Sequence, residues 1–415
     1  MPSTIRLRHG SWVETARSRT DACLTRIAER DSLIGAWAHL DPALARAQAD
    51  ARDAEPGRSG LHGLPIAIKD VLTTRDMPTG YGCALYAGHF PQVDAACVAL
   101  LRQAGAVILG KTATVELASI GAPPRTRNPR APGHTPGGSS SGSAAAVADA
   151  QVPIAIGTQT GGSIIRPASF CGVWALKPTW GSVSAEGAKP FAPSLDTIGW
   201  FGRDVDDLTL LLDILAPDMI APPPPTGRIG IWRTAGWARA EPATRAAMAS
   251  VIAMLVARGF AVEEMALPLD DLADVHRTIM LGEGRRSFLT EVRADADRVH
   301  PRIVDMVRNG PVDLRAAQDR AADARRIFDD AARRFDAILT PSTIGEAPRG
   351  LEHTGDLLFN GLFTLLHAPC VNLPLCNGPT GLPVGLTLTG GRGTDRAVLD
   401  TARRIAAIAS QAGAA

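Results

Sequence analysis

Apolar and charged positions alternate at helical spacing over residues 11–53, which predicts helices on the outside of the fold. At Gly63 the texture changes. The run LPIAIKD (64–70) places five uncharged residues before Lys69 and Asp70, the pattern of a short buried strand. If the backbone there is extended, Lys69 and Asp70 face opposite sides of it. A helix is expected from Asp94 as N-cap through Val98 and Leu101, stopped at Gly105, and the AVIL run at 106–109 predicts a further buried strand. Strands separated by helices of this length form a sheet covered on both faces, so the expected class is α/β with a mixed, mostly parallel central sheet.

From 120 to 200 the chain is rich in Gly, Ser, Pro and Ala, yet strand-like runs such as PIAIG (153–157) interrupt it, as a disordered linker would not. Loops pinned to a rigid scaffold are expected there. A helix after Asp204 carries leucines at 208, 210, 211, 212 and 215 and ends before APPPPTG (221–227), the one obvious hinge. Beyond it come a strand from Ile229 (IGIW), a helix ending at Gly259, an Arg/Asp-rich helical region near 311–335, and strands AILTP near 337 and PVGLTLTG near 383. No internal repeat is visible. The whole of 1–415 therefore reads as one domain: a helical part over 1–60, a core over 61–220, the hinge, and a part over 228–415 that completes the sheet and the substrate pocket.

Composition narrows the function classes. The 43 Lys+Arg residues balance 42 Asp+Glu, so neither a basic nucleic-acid binder nor an acidic tail is indicated and a small-molecule task is expected. The first residues lack the apolar core of a signal peptide, and no stretch reaches eighteen uncharged apolar residues, which makes a cytoplasmic location without membrane contact the default expectation. Cys23, Cys83, Cys97, Cys171, Cys370 and Cys376 include no CxxC pair and no zinc-like spacing, so neither a disulfide framework nor a metal site is expected.

Two motif matches fail on context. GAVILGKT (105–112) fits the phosphate-loop pattern, but its intervening residues are strongly β-forming and a helix precedes it, so a strand ending in a turn is expected. GSSSG (138–142) fits a nucleophile elbow centred on Ser140, but PRAPGHTPG precedes it where a buried strand belongs. Among the histidines, His134, His276, His300, His353 and His367 included, none sits in a recognisable catalytic setting.

Three segments hold together chemically: Lys69 at the end of its apolar run, GGSSSGS (137–143) and GTQTGGS (157–163). A serine hydroxyl needs a base nearby, and a lysine serves when burial makes its charged form costly. The glycines before Ser163 let backbone N–H groups converge on one point, as an oxyanion hole requires.

With these segments the chain resembles the amidase signature enzymes, which hydrolyse carboxamides with a Ser-Ser-Lys triad. The likeness runs from LHGLPIAIKD (61–70) through LGKTATVELA (109–118), both serine motifs and SLDTIGWFGR (194–203) to AILTPST (337–343) and LPVGLTLTGG (382–391). It implies that Ser163 is the acylating nucleophile and that Ser139 bridges it to Lys69; the 24-residue separation matches the family spacing and selects Ser139 over Ser140 and Ser141. It also implies a cis peptide bond at the bridging serine, an oxyanion hole of the N–H groups of Thr160, Gly161, Gly162 and Ser163, and no cofactor.

Where many members read GTDTGGSIR, this chain reads GTQTGGSIIR. Gln159 and the position of Arg166 look like the malonamidase branch, in which an arginine at that offset receives a substrate carboxylate. Arg166, with Ser141 and Gln159, is therefore the expected substrate-binding set, and a malonamate-like amide the expected substrate; a structural ion pair is the plainer role for Arg166. Residues after 300, among them Phe359, Asn360, Phe363 and His367, are candidates for the acyl pocket, with core packing the plainer role for the two phenylalanines. Two rivals stay open: a glutaminase-type amidotransferase subunit, for which the chain is short, Gln159 is atypical and no basic tRNA patch is evident, and a non-catalytic binding protein on the same scaffold. Oligomeric state, a homodimer included, is left open.

Overall fold

The structure, a computed structural model, describes residues 15–412. Residues 1–14, read above for a leader and for the start of the first helix, lie outside the described residues.

Eleven strands form one sheet: β1 (Trp37–Leu40), β2 (Pro65–Lys69), β3 (Val107–Thr112), β4 (Ile154–Gln159), β5 (Trp174–Lys177), β6 (Thr197–Gly202), β7 (Arg228–Ile231), β8 (Ala261–Glu264), β9 (Ala337–Pro341), β10 (Cys370–Asn377) and β11 (Pro383–Thr389), in the spatial order β1-β3-β2-β4-β6-β5-β10-β11-β9-β7-β8. The expected mixed α/β sheet is present. Parallel pairing, expected to dominate, is confined to two flanks, β3–β2–β4 and β9–β7–β8, and the other six pairings are antiparallel. One reason is local: only the short segment 378–382 joins β10 to β11, too little chain for a crossover, so they pair as a hairpin. Strands β2, β3, β4, β9 and β11 are buried along nearly their whole length, which is why they read as continuous apolar runs.

Helices cover the sheet: α1 (Ala16–Ile34), α2 (Pro42–Asp53), α3 (Ala96–Gln103), α4 (Ser141–Ala148), α5 (Ile165–Cys171), α6 (Val205–Leu215), α7 (Pro242–Ala257), α8 (Leu272–Ser287), α9 (Leu289–Asp295), α10 (Pro301–Asn309), α11 (Arg315–Ala332), α12 (Gly361–Leu365) and α13 (Asp395–Ala412). Asp204 caps α6 through a capping box with Asp207. Asp94 does not cap α3: Ala95 holds that position, while the Asp94 carboxylate accepts from the Arg75 N–H (2.9 Å) and pairs with Arg102 (3.2 Å). The stretch read as wholly helical up to 53 is broken by β1, whose WAHL pairs antiparallel with Gly110–Thr112.

That pairing also disposes of the phosphate-loop match. β3 runs through Gly110, Lys111 and Thr112, and Lys111 is fully buried, ion-paired to Asp70 at 3.0 Å. The Pro-rich run 221–227 links α6 to β7, and the strands after it share one hydrophobic core with those before it; Ile229 and Ile231 belong to the same cluster as Ile66 and Ile156. The arrangement that matters most is central. β2 and β4 are parallel neighbours, in register at Ile68 and Ile156, so Lys69 and Gln159 emerge at the same edge of the sheet. The segments 137–140 and 160–164, leading into α4 and α5, meet there.

Candidate active site

Lys69 is completely buried, as the uncharged run before it implied. Its Nζ lies 2.8 Å from Ser139 Oγ and 2.7 Å from Thr158 Oγ1. Burial pushes the Lys69 ammonium well below the usual lysine range, and the buried carboxyl of Asp196 pulls weakly the other way. Asp70, which would otherwise hold the lysine charged, faces away as strand alternation requires and is spent on Lys111 and on the Gly80 N–H (3.1 Å).

Ser139 follows a cis peptide bond, Gly138–Ser139, at the position where the family likeness places one. Its carbonyl accepts from the Val115 N–H (3.2 Å). Gly137 has φ +82°, and a Cβ there would lie 2.8 Å from Pro167 Cα, so the serine loop rests directly on α5 and a side chain at that point would force them apart. Ser140 is no elbow nucleophile. It is fully buried, and its hydroxyl donates to the Thr158 carbonyl (3.2 Å).

Ser163 sits in the turn between β4 and α5, 8% exposed, and its hydroxyl bonds to none of the described residues. The structure thus brings Lys69 and Ser139 into contact and sets Ser163 in the abutting loop without a hydrogen bond to Ser139. The loop itself is held by its carbonyls. Thr160 O accepts from His276 Nε2 (2.9 Å), Gly161 O from Thr364 Oγ1 (2.8 Å) and Gly162 O from the Arg166 N–H (3.0 Å). The Thr160 hydroxyl donates to Asp196. With the carbonyls engaged from outside, the N–H groups of 160–163 find no loop carbonyl or side chain as acceptor among the described residues. Such a set of donors suits an anion developing beside Ser163. Gly162 is required by its neighbour, since a Cβ there would lie 2.5 Å from Asn360 Oδ1.

In this structure each member of the expected substrate-binding set is bonded to protein. Gln159 Oε1 accepts from the Ile164 and Ile165 N–H groups (2.9 and 3.1 Å), and its Nε2 donates to Thr364 (2.9 Å), so this side chain closes the turn onto α5. Ser141 donates to the Gly137 carbonyl (2.8 Å). Arg166 is buried and donates to the Gly138 and Gly355 carbonyls (2.7 and 2.9 Å) and to Thr354 (3.2 Å), with no carboxylate in salt-bridge contact among the described residues. Ser141 and the Gln159 oxygen are held by neighbours in their own loops, whereas Thr364, Thr354 and Gly355 come from segments distant in sequence.

Of the acyl-pocket candidates, Phe359 and Phe363 are core residues, Phe363 packing edge-on against Trp232. His367 stacks on Trp180 and bonds to the Ser194 carbonyl (2.8 Å), and burial lowers its pKa to about 3. Asn360 lies against Gly162 and binds the Ser342 carbonyl (2.9 Å). Sequence reasoning missed Thr158, Asp196, His276 and Thr364 as supports of the site. Thr158 and Asp196 lie inside quoted motifs and were findable; His276 is a lone histidine of α8 whose contact exists only once the chain has folded.

A buried lysine bonded to a serine hydroxyl, beside a glycine-rich turn with unengaged N–H groups, is an arrangement suited to a serine hydrolase. The Amidase family profile matches residues 19–399, and the chain belongs to that family, the amidase signature enzymes, which are hydrolases of carbon–nitrogen bonds. It is 35% identical to a glutamyl-tRNA(Gln) amidotransferase subunit of Roseiflexus castenholzii, over 89% of this chain and 88% of that protein. Among solved structures it is similar to an amidase (TM-score 0.85, 30% identity, 93% of this chain and 94% of the other). It is also similar to the peptide amidase of Stenotrophomonas maltophilia (TM-score 0.79, 28% identity, 94% and 93%). The relatives thus establish the family and do not single out its malonamidase branch. Among the described residues no helix is long and apolar enough to cross a membrane, and no group of His, Cys, Asp and Glu could hold a metal ion.

Proposed function

We propose that the chain hydrolyses a small primary carboxamide to the acid and ammonia through an acyl-enzyme on Ser163. Neutral Lys69 takes a proton from Ser139, which takes one from Ser163 as its oxygen attacks the carbonyl carbon. The N–H groups of Thr160, Gly161, Gly162 and Ser163 hold the oxyanion. The proton returns by the same relay to the leaving nitrogen, ammonia departs, and water releases the acid from Ser163. The observation that carries this reading is the 2.8 Å contact between Ser139 and a lysine with no exposed surface. The relay from Ser163 to Ser139 closes when substrate is bound; catalytic hydrogen bonds are often long without it.

The malonamate-like substrate expected from Arg166 has little support, because both terminal nitrogens of its guanidinium are bonded to protein. A second reading, supported by the amidotransferase relative at 35% identity, is that the ammonia is passed on within an assembly of several protein chains. Ammonia release from glutamine, malonamate, a neutral aliphatic amide and a peptide amide by the purified chain tests both. Turnover of simple amides by the chain alone supports the independent hydrolase. Turnover of glutamine alone, rising when partner proteins are added, supports the amidotransferase reading. No ammonia from any amide, with or without partners, contradicts both.

A further inference from the structure

Arg166 is a buried cation that the proposed reaction does not use. It leaves the first turn of α5, three residues beyond Ser163, and bridges two segments that meet beside the serine loop. Its Nη2 donates to the carbonyl of Gly138 at 2.7 Å and to Thr354 Oγ1 at 3.2 Å, and its Nη1 donates to the carbonyl of Gly355 at 2.9 Å. Nε is buried without a partner among the described residues.

The geometry of the two segments gives these contacts meaning. Gly138 immediately precedes Ser139, so the carbonyl that Arg166 grips belongs to the peptide unit that carries the bridging serine. The 353–357 segment crosses over both loops: the His353 carbonyl accepts from Thr135 Oγ1 (2.8 Å), Thr354 packs on Gly138 and Leu357 packs on Gly161. A guanidinium is the side chain that can reach three acceptors in one plane. Burial lowers the Arg166 pKa only to about 10, so it is charged at neutral pH and buried without a carboxylate in salt-bridge contact, an arrangement with a substantial desolvation cost.

We propose that Arg166 is a positioning residue for Ser139, holding the Gly138 carbonyl so that the Ser139 hydroxyl stays within hydrogen-bond reach of Lys69, and tying that loop to the segment at 354–355. This role rests on the proposed amide hydrolysis and replaces the carboxylate-receiving role for the same arginine. Arg166 touches neither substrate nor the reacting atoms; it acts through Ser139.

The test compares Arg166→Gln and Arg166→Lys with wild type on a neutral amide and on malonamate, together with the rate of Ser163 labelling by a serine-reactive phosphonate and hydrogen exchange over 137–141. Arg166→Gln is expected to lower kcat roughly ten- to hundredfold on both amides, as loss of a hydrogen bond to a charged group predicts, with KM nearly unchanged. Labelling slows in parallel, and exchange rises at 137–141 while the strands keep their protection. Arg166→Lys, which retains one donor for the Gly138 carbonyl, recovers part of the rate. A loss confined to malonamate, or carried by KM, assigns Arg166 to the substrate and overturns the proposal. Unchanged kcat with faster exchange, or unchanged exchange in Arg166→Gln, overturns it as well. If Arg166→Gln does not fold, Arg166→Lys carries the same readouts. Should wild type release no ammonia from any amide, the hydrolase reading fails on that result, and the exchange measurement still decides whether Arg166 holds the loop.

Discussion

Replacing Lys69 with methionine separates two consequences of a neutral buried lysine. Methionine fills similar volume and removes the ionisable group, leaving the Ser139 and Thr158 hydroxyls without their 2.8 and 2.7 Å partner. Each lost hydrogen bond costs about 1 kcal/mol of stability at every pH. The titration term has a different shape. Because burial holds the folded pKa of Lys69 well below its unfolded value of about 10.4, the unfolded chain binds a proton that the native protein lacks over the interval between them. Wild-type stability therefore rises with pH in that interval by about 1.36 kcal/mol per unit relative to Lys69→Met, and the rise ends above the unfolded pKa. Activity has the same origin: it falls on acidification as the folded lysine gains its proton. Loss of the base lowers kcat by roughly 10²- to 10⁴-fold, and Lys69→Arg does not restore it, since a guanidinium stays protonated. Denaturant unfolding of both proteins from pH 7 to 9, with ammonia release in parallel, supplies the numbers. A stability difference that is flat across that range means the folded lysine keeps its proton, and the relay then fails; so does a Lys69→Arg variant with near wild-type rate.

Two further substitutions probe the supports of the site. Gly162→Ala sets a Cβ 2.5 Å from Asn360 Oδ1, so the turn must shift and its N–H groups lose their aim; kcat is expected to fall about 10²-fold while KM changes little, and an unchanged kcat would remove these groups from the oxyanion hole. Asp70→Asn leaves the fully buried Lys111 without its carboxylate, and urea unfolding should show a loss of about 3 kcal/mol or more; a loss below about 1 kcal/mol would mean the pair contributes little.

The legible parts of this protein are those written in contiguous residues. β2, β4, β9 and β11 lie in the sheet interior and read as apolar runs, and the lysine and both serine loops are short segments whose chemistry is local. β1 is illegible because WAHL is four residues long and sits between two helices in a stretch of helical periodicity. Strand direction misleads because alternating strands and helices suggest crossovers, whereas β5, β6, β10 and β11 pair antiparallel at the centre of the sheet. Polar residues near the nucleophile are the hardest to read. Gln159 and Arg166 have the chemistry of ligand-binding groups, and part of what holds them, Thr364, Thr354 and the Gly355 carbonyl, arrives from 205, 188 and 189 residues away. A side chain's chemistry is local, but its partner is a property of the fold.

In the proposed reaction Ser163 carries the acyl group. Treatment with a serine-reactive phosphonate, followed by peptide mapping, tests it in one step. The adduct is expected on Ser163, with no labelling and no turnover in a Ser163→Ala variant that unfolds at the wild-type denaturant concentration. An adduct on Ser140 or Ser139 in the wild type, or ammonia release retained by Ser163→Ala, would contradict the account.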